Sequence, residues 1–338
     1  MARGIHAKHL FYKEFVSMKL RRNLARLALG FAVLASGASA ALANGSDAAG
    51  GAEADVGAQA ANEAAEAQPA PAAPPAAPFN AVKPVFDETW ATIGLGAGLV
   101  PSYAGSDNYV VFPLPLIVGR VGGVGIRPNG PGLTFDLLSP KPSFGPRKTR
   151  LAFGPAFRLR NDRNAQIEDG VVEAAGKLEL ALEAGLNAAI SFPGVFKPLD
   201  SLTLGAQVRW DVLGAHEGMV IEPQVNYATP LGKAFLLQVQ AGMEFVDDSF
   251  ADYYFSVSPP QRAASGLPAF SAEGGLNRIG TLAILSYDLS GNALDGGWSL
   301  YGVGGYSRLL GDAADTPFTS LRGDANQFIL GLGVGYTF

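Results

Sequence analysis

The sequence predicts an all-β chain closed as a transmembrane, antiparallel, up-and-down β-barrel of about twelve strands, and three observations predict it. Segments of about ten residues alternate strictly between apolar and small or polar positions, the length and period of a tilted membrane-crossing strand. Charges of both signs fall on the face opposite the apolar row, where a dry sandwich core would have to bury them. Short and long connections alternate between the segments, as they do in bacterial outer-membrane barrels. Past the N-terminal segment there is no uninterrupted apolar run of the about 20 residues that a membrane helix needs.

The last strand shows the pattern most plainly. In 327–338 (QFILGLGVGYTF), Phe328, Leu330, Leu332, Val334, Tyr336 and Phe338 form one apolar row, and Gln327, Gly331, Gly333, Gly335 and Thr337 lie between them. Only Ile329 breaks the alternation. The row runs to an aromatic terminus, so Tyr336 and Phe338 are expected to be the C-terminal signature through which the barrel-assembly machinery receives the strand.

At the other end, Lys19, Arg21, Arg22 and Arg26 precede the apolar run 27–34 and two A-x-A steps ending at Ala40 and Ala43. This reads as a secretory signal peptide over 1–43, with Met18 as the expected true start. Removing 1–43 takes away seven basic residues and one acid and moves the formal charge from -5 to about -11. An acidic exported chain is a poor nucleic-acid binder. It has no cysteine, so disulfides, thiolate metal sites and lipidated N-terminal cysteines are excluded. The Ala/Pro/Gly-rich stretch 44–85 cannot bury enough apolar area to offset its ordering entropy, and reads as a disordered periplasmic linker before a barrel over 86–338.

Within the barrel, 90–103 places Ile93, Leu95, Ala97, Leu99 and Tyr103 outward. The next strand, 109–121, carries Pro113 and Pro115, which remove two ladder donors and imply a bulge or a rim. Tight turns at Gly122-Gly123 and Asn129-Gly130 bracket short strands at 124–128 and 132–138. The clearest alternation lies in 151–159, 201–213, 219–229 and 234–245. Arg158, Arg160, Arg209, Asp211, Glu222, Gln224, Gln240 and Glu244 fall on the inner face there, where they line the lumen or cross-pair and plug it. The stretch 173–190 is rich in helix formers, yet Leu178, Leu180, Leu182, Ala184 and Leu186 alternate with Glu179, Glu183 and Asn187, so it reads as a strand. Long connections at 161–177, 247–274 and 311–325 fall on one end and both termini on the other. The count is twelve strands, or ten if 109–138 pairs as fewer.

Specific residues add a resemblance. Pro101, Tyr103, Gly105, Ser106 and Asp107 carry a P-x-Y-x-G-S-D step. Pro113, Leu114 and Pro115 carry a PLP step, and Tyr254, Phe255 and Val257 a Y-F-x-V step. An S-G-L-P step lies at 265–268, and Gly311, Asp312, Asp315 and Pro317 belong to a G-D-A-A-D-[ST]-P step. In this order, over about 90–338, they resemble the MipA/OmpV family of outer-membrane proteins. The resemblance implies a barrel in the outer membrane and, for the family's namesake, a scaffold that brings a murein lytic transglycosylase together with a penicillin-binding peptidoglycan synthase. Other family members are described as antigens or adhesins.

No reaction chemistry is legible. One histidine, His216, remains after signal removal, and beside Glu217 in a short turn it reads as a solvated turn residue rather than a base. Asp247, Asp248 and Asp252 have Ca2+-type donors, but read as polar loop residues. Gly94, Gly96 and Gly98 lack the basic residue and following helix of a nucleotide loop and read as strand glycines. The expectation is a barrel with no catalysis, cofactor or metal, lipid-embedded, acting as an envelope scaffold. A small-solute pore and an adhesin working through its outer loops are the alternatives.

Overall fold

The computed structural model describes residues 85–87, 89–138 and 149–338. The expected signal peptide and nearly all of the expected linker lie outside the described residues. Val85, the linker's expected last residue, opens a 3-10 turn (Val85–Asp87) whose Val85 N donates to Leu294 O at 3.1 Å, while Phe86 packs edge-on to Trp90 at 4.7 Å.

Twelve antiparallel strands follow: β1 (Trp90–Pro101), β2 (Tyr109–Val121), β3 (Val124–Pro128), β4 (Gly132–Asp136), β5 (Arg150–Arg160), β6 (Ala181–Pro193), β7 (Ser201–Asp211), β8 (Met219–Pro230), β9 (Phe235–Val246), β10 (Gly275–Asp288), β11 (Gly297–Leu309) and β12 (Asn326–Thr337). Each pairs with its sequence neighbours, and β1 closes on β12 in a register from Thr92 opposite Thr337 to Leu99 opposite Leu330. The apolar rows face out: Leu332 is 75% exposed and Leu95 63%, which in a water-soluble sheet would be wasted area. Aromatics mark both rims of this exterior. Phe235 against Tyr287 (4.6 Å) and Trp298 against Tyr336 (5.2 Å) lie at the turn end, and Tyr306 against Phe328 (5.3 Å) at the loop end.

Several boundaries differ from expectation. β1 stops at Pro101, so Tyr103 leaves the outward row and is buried among the loops. Residues 173–180 are not strand. Glu173 belongs to a short helix, α1 (Gly170–Ala174), capped by Asp169, whose Oδ1 accepts the Val171 and Val172 N–H groups, and β6 starts only at Ala181. Here helix propensity and capping won for the segment's first part, and pairing with β5 and β7 for the rest. Pro113 and Pro115 sit within β2 at neither a bulge nor a rim; the edge they occupy has no β3 partner, because β3 pairs only with Gly119–Val121.

Four more helices lie in the long loops: α2 (Asp248–Phe255), α3 (Pro259–Ser265), α4 (Asp312–Asp315) and α5 (Pro317–Ser320). Among the described residues, two apolar clusters of buried side chains lie here. One joins Phe250, Tyr254, Phe255 and Ala313 to the strand ends at Val220, Val246 and Leu309, and the other joins Tyr103, Val172, Val257, Leu267 and Phe318. The fold therefore keeps its oily core in the loops, because the barrel wall turns its apolar face to lipid.

Candidate functional site: a lidded lumen

The lumen is built in two unlike halves. Across β5 to β10 the inward positions carry guanidinium and carboxylate groups in alternation. Arg158 Nη1 lies 2.8 Å from Glu222 Oε1, and Arg209 Nη2 lies 2.7 Å from Glu222 Oε2, an ion pair off hydrogen-bond geometry. Arg209 Nε then donates to Glu183 Oε2 at 3.0 Å, and Arg160 Nε to Glu183 Oε1 at 2.6 Å. Glu244 Oε2 closes the series, receiving Arg160 Nη2 at 3.1 Å and Arg278 Nη2 at 2.8 Å, while its Oε1 accepts Asn277 Nδ2 at 2.6 Å. Four arginines and three glutamates thus form one ladder across six strands, and each carboxylate bridges two cations. Glu183 and Arg209 are fully buried within it.

The polar residues expected to face inward fall around this ladder. Gln224 and Gln240 bond to each other at 2.6 Å. Asp211 instead caps the β7–β8 turn, accepting the Leu213, His216 and Glu217 N–H groups. Glu183 and Arg278 complete the ladder but were not singled out from sequence as lumen residues. Their partners lie one or more strands away, and only register brings them together.

His216 is not the solvated turn residue that its neighbourhood suggested. It is 3% exposed, its Nδ1 accepts the Gly218 N–H at 3.0 Å, its Nε2 lies 3.6 Å from Glu183 Oε1, and its ring packs on Phe250 at 5.0 Å. The physical reason is α2, which folds back over the turn and covers it. Asp247 caps α2 through the Phe250 N–H and also accepts the Met219 N–H, Asp248 accepts the Gly274 N–H, and Asp252 accepts the Ser256 hydroxyl. Each of the three carboxylates thus accepts hydrogen bonds from neighbouring backbone or side-chain groups, and no metal-holding group occurs among the described residues.

The second half of the lumen is apolar and small. Leu114 lies over Gly98 and Gly331, and the Tyr301 ring lies over Gly94, Gly96 and Gly333, so a Cβ on Gly333 would overlap that ring. The Tyr301 hydroxyl donates to Leu114 O at 2.9 Å, across two strands. The inward glycines of β1 and β12 therefore make room for one tyrosine and one leucine rather than for a phosphate.

Above both halves the loops lock into a lid. The β1–β2 loop meets the β11–β12 loop where Tyr103 Oη donates to Arg322 O (3.2 Å), Gly105 N to Gln327 Oε1 (3.3 Å) and Asp324 N to Gly105 O (2.9 Å), beside a bridge between Ser106 and Gly323. Gly105 needs its φ of +94° there, and a Cβ would strike Thr319. Asp107, beside it, accepts the Asn108 amide. Across the mouth, Arg322 Nη2 bonds Asp169 at 2.7 Å. Burial opposes the Asp169 charge, but the Arg322 bonds and the Val172 and Val171 N–H groups outweigh it and hold the carboxyl below its usual range. Arg163, 2% exposed, sits 4.1 Å over the Phe318 ring and donates to Tyr254 O at 2.8 Å; its burial lowers its pKa. Thr316 Oγ1 donates to Phe255 O, and Asp312 Oδ2 accepts the Glu273 N–H. Gly311 turns the chain out of β11 at φ +53°, Asp315 O accepts the Ser320 hydroxyl, and Pro317 opens α5 in the buried interior. Pro101 ends β1 just below. The motif residues singled out from the loops thus converge on the lid, and Arg160, 4.7 Å from the Phe250 ring, ties the lid to the ladder beneath.

A closed antiparallel barrel with a lipid-facing exterior, aromatic rims, and the start of β1 and the end of β12 at the short-turn rim is an outer-membrane β-barrel protein. This chain belongs to the family described as MltA-interacting protein MipA, whose profile matches residues 93–338. Among curated proteins none matches. Among solved structures the chain is similar to an outer membrane channel from Pseudomonas putida F1 (15% identity, TM-score 0.38, covering 74% of this chain and 96% of that one). It is also similar to the outer membrane channel DcaP of Acinetobacter baumannii (11% identity, TM-score 0.28, covering 74% and 96%) and to a porin (11% identity, TM-score 0.27, covering 74% and 100%). These likenesses are distant.

Proposed function

We propose that this protein is a non-conducting structural barrel of the outer membrane that holds murein enzymes together from its periplasmic end. The observation that carries the reading is the closure of the loop end, where interlocked loops with apolar interiors sit on a lumen crossed by seven mutually paired charges. A solute path along the axis would have to break both. The name of the family, an MltA-interacting protein, supports a murein lytic transglycosylase as one partner; a penicillin-binding synthase is the proposed second. With short turns on the periplasmic side, partners meet the β6–β7 turn, the β10–β11 turn and the arm that enters beside it at Val85. The β6–β7 turn is a rigid knuckle: Asp200 accepts the Val195, Phe196 and Lys197 N–H groups and the Tyr227 hydroxyl, and Phe196 stands 74% exposed. A scaffold raises the effective concentration of two enzymes without altering either site.

The test is a cross-linked pull-down of murein enzymes with the full chain, comparing Phe196→Ser with shortening of the β9–β10 loop. Enrichment that the turn variant reduces and the loop variant leaves intact is the expected result. No enriched murein enzyme, or enrichment lost only with the loop, would overturn the reading.

A further inference from the structure

A cavity of about 170 Å3 lies in the lid, where the chain entering β10 runs beside the chain leaving β11. Its floor is apolar and buried. Ala251 and Phe255, one helical turn apart on α2, share that floor with Val246 at the end of β9 and Ala313 in α4. Its mouth is acidic, with exposed Glu273 on one side and half-exposed Asp312 on the other. Asp312 Oδ2 accepts the Glu273 N–H at 2.7 Å and so holds the two segments together at the rim. Between floor and mouth the register of β10 against β9 slips at Asn277, and a bulge of this kind re-aims a side chain. Asn277 lines the cavity and is 6% exposed; its Nδ2 is held by Glu244 Oε1 at 2.6 Å, and its Oδ1 accepts no hydrogen bond among the described residues. No lysine, arginine or histidine is among the described lining residues.

Two carboxylates at the mouth, an amide oxygen within and no cation in the wall make a site that offers acceptors and calls for a donor. A bare metal ion would need several oxygens around it, whereas the floor here is hydrocarbon. An organic ammonium suits both parts, because its N–H groups meet the carboxylates in charge-assisted hydrogen bonds while its stem covers the apolar floor. Volume limits the stem. An apolar cavity of about 150 Å3 holds one benzene, and drug-sized ligands need about 300 Å3 or more, so one ring or a short branched chain fills this one. We propose that the cavity binds a small organic ammonium ion, its nitrogen between Glu273 and Asp312 and its apolar stem on the Ala251 and Phe255 face of α2. Gly311, Asp312 and Ala313 of the G-D-A-A-D-[ST]-P step all line it, which gives that step a role in binding beside its role in the lid. The site lies at the loop end, away from the periplasmic turns, so it goes beyond the scaffold reading and does not need it.

The probe is benzylammonium, with benzyl alcohol as its neutral twin of the same shape. The full chain, labelled with nitrogen-15 in phosphatidylcholine nanodiscs, is titrated with each at neutral pH and known free concentration. Shifts of the Gly274, Gly275 and Gly311 amides, which line the cavity, give the dissociation constants. Charge-assisted hydrogen bonds in place of neutral ones predict that benzylammonium binds at least about tenfold tighter than benzyl alcohol. Glu273→Gln, at an exposed position, should weaken benzylammonium about threefold and leave benzyl alcohol unmoved. Glu273→Gln combined with Asp312→Asn should bring the two probes to within about threefold of each other. Absent shifts, equal affinities in the native chain, or an ammonium preference that survives in the double variant would overturn the site. Unchanged benzylammonium affinity in Glu273→Gln would overturn it too, and that variant keeps the Asp312 bond to the residue 273 backbone.

Discussion

Glu183→Gln probes the ladder at its most buried carboxylate. Glu183 is 0% exposed and accepts Arg160 Nε at 2.6 Å and Arg209 Nε at 3.0 Å. Glutamine keeps the shape and removes the charge. Arg160 still has Glu244 and Arg209 still has Glu222, so neither guanidinium is left alone, and the expected loss is about 3 kcal/mol, the low end for breaking a buried pair. Glu222→Gln disturbs a carboxylate that is 17% exposed; buried Arg209 keeps Glu183, and Arg158, 18% exposed, can turn to water, so the loss should be smaller, about 1–2 kcal/mol. Urea unfolding of the vesicle-inserted protein, followed by the gel mobility of unboiled samples, gives both values. Equal losses, or a larger one for Glu222→Gln, would refute the claim that burial ranks the ladder's members.

Val334→Arg, on the lipid-facing row, should cost about 2–4 kcal/mol, whereas Gly335→Ser should be mild, since the close neighbours of its new Cβ are side-chain atoms of Thr92 (3.2 Å) and Ser299 (3.4 Å), with backbone Ile93 O at an ordinary 3.7 Å; equal costs in the same urea assay would invert the assigned faces. Phe318→Ala empties a fully buried site beneath Arg163 and should cost about 3–5 kcal/mol, read as faster amide exchange in the loops with the strands unchanged; strand amides exchanging equally fast would show that the lid is not a separate unit. The Asp169–Arg322 strap depends on pH. Because the folded carboxyl titrates below its unfolded value of about 3.9, the strap's contribution is complete above that pH and fades as pH falls through the folded value. Proteolysis of the loops should therefore quicken at pH 3 relative to pH 6, and Arg322→Gln should abolish the difference; a difference that persists in Arg322→Gln would place the pH dependence elsewhere.

The strands were legible because lipid exposure forces a period of two that no short-range effect disguises, as in Leu330, Leu332 and Val334 against Gly331, Gly333 and Gly335. The lid was not legible, although one signal was present: Phe250, Tyr253, Tyr254 and Phe255 are too aromatic for a solvated loop, and three of the four are buried. His216 was misread for the same reason, since a turn's exposure depends on what folds over it. The inward charges were visible one strand at a time, but that Glu183 joins Arg160 and Arg209 depends on the register of β5, β6 and β7, which alternation leaves free by any even number of residues. Pro113 and Pro115 signalled a break in pairing; that the break falls on the β2 edge beyond the short β3–β4 hairpin, without a strand partner among the described residues, shows only in the register.

Single-channel recording in planar bilayers bears most directly on the central claim, that the barrel is closed along its axis by the lid and the ladder. The full native chain should insert and give no steady open conductance, whereas a chain whose β9–β10 loop is cut back, removing α2 and α3, and whose ladder is broken by Glu183→Gln and Glu244→Gln, should show openings. A steady, ohmic conductance from the native chain would contradict axial closure and leave a pore in its place.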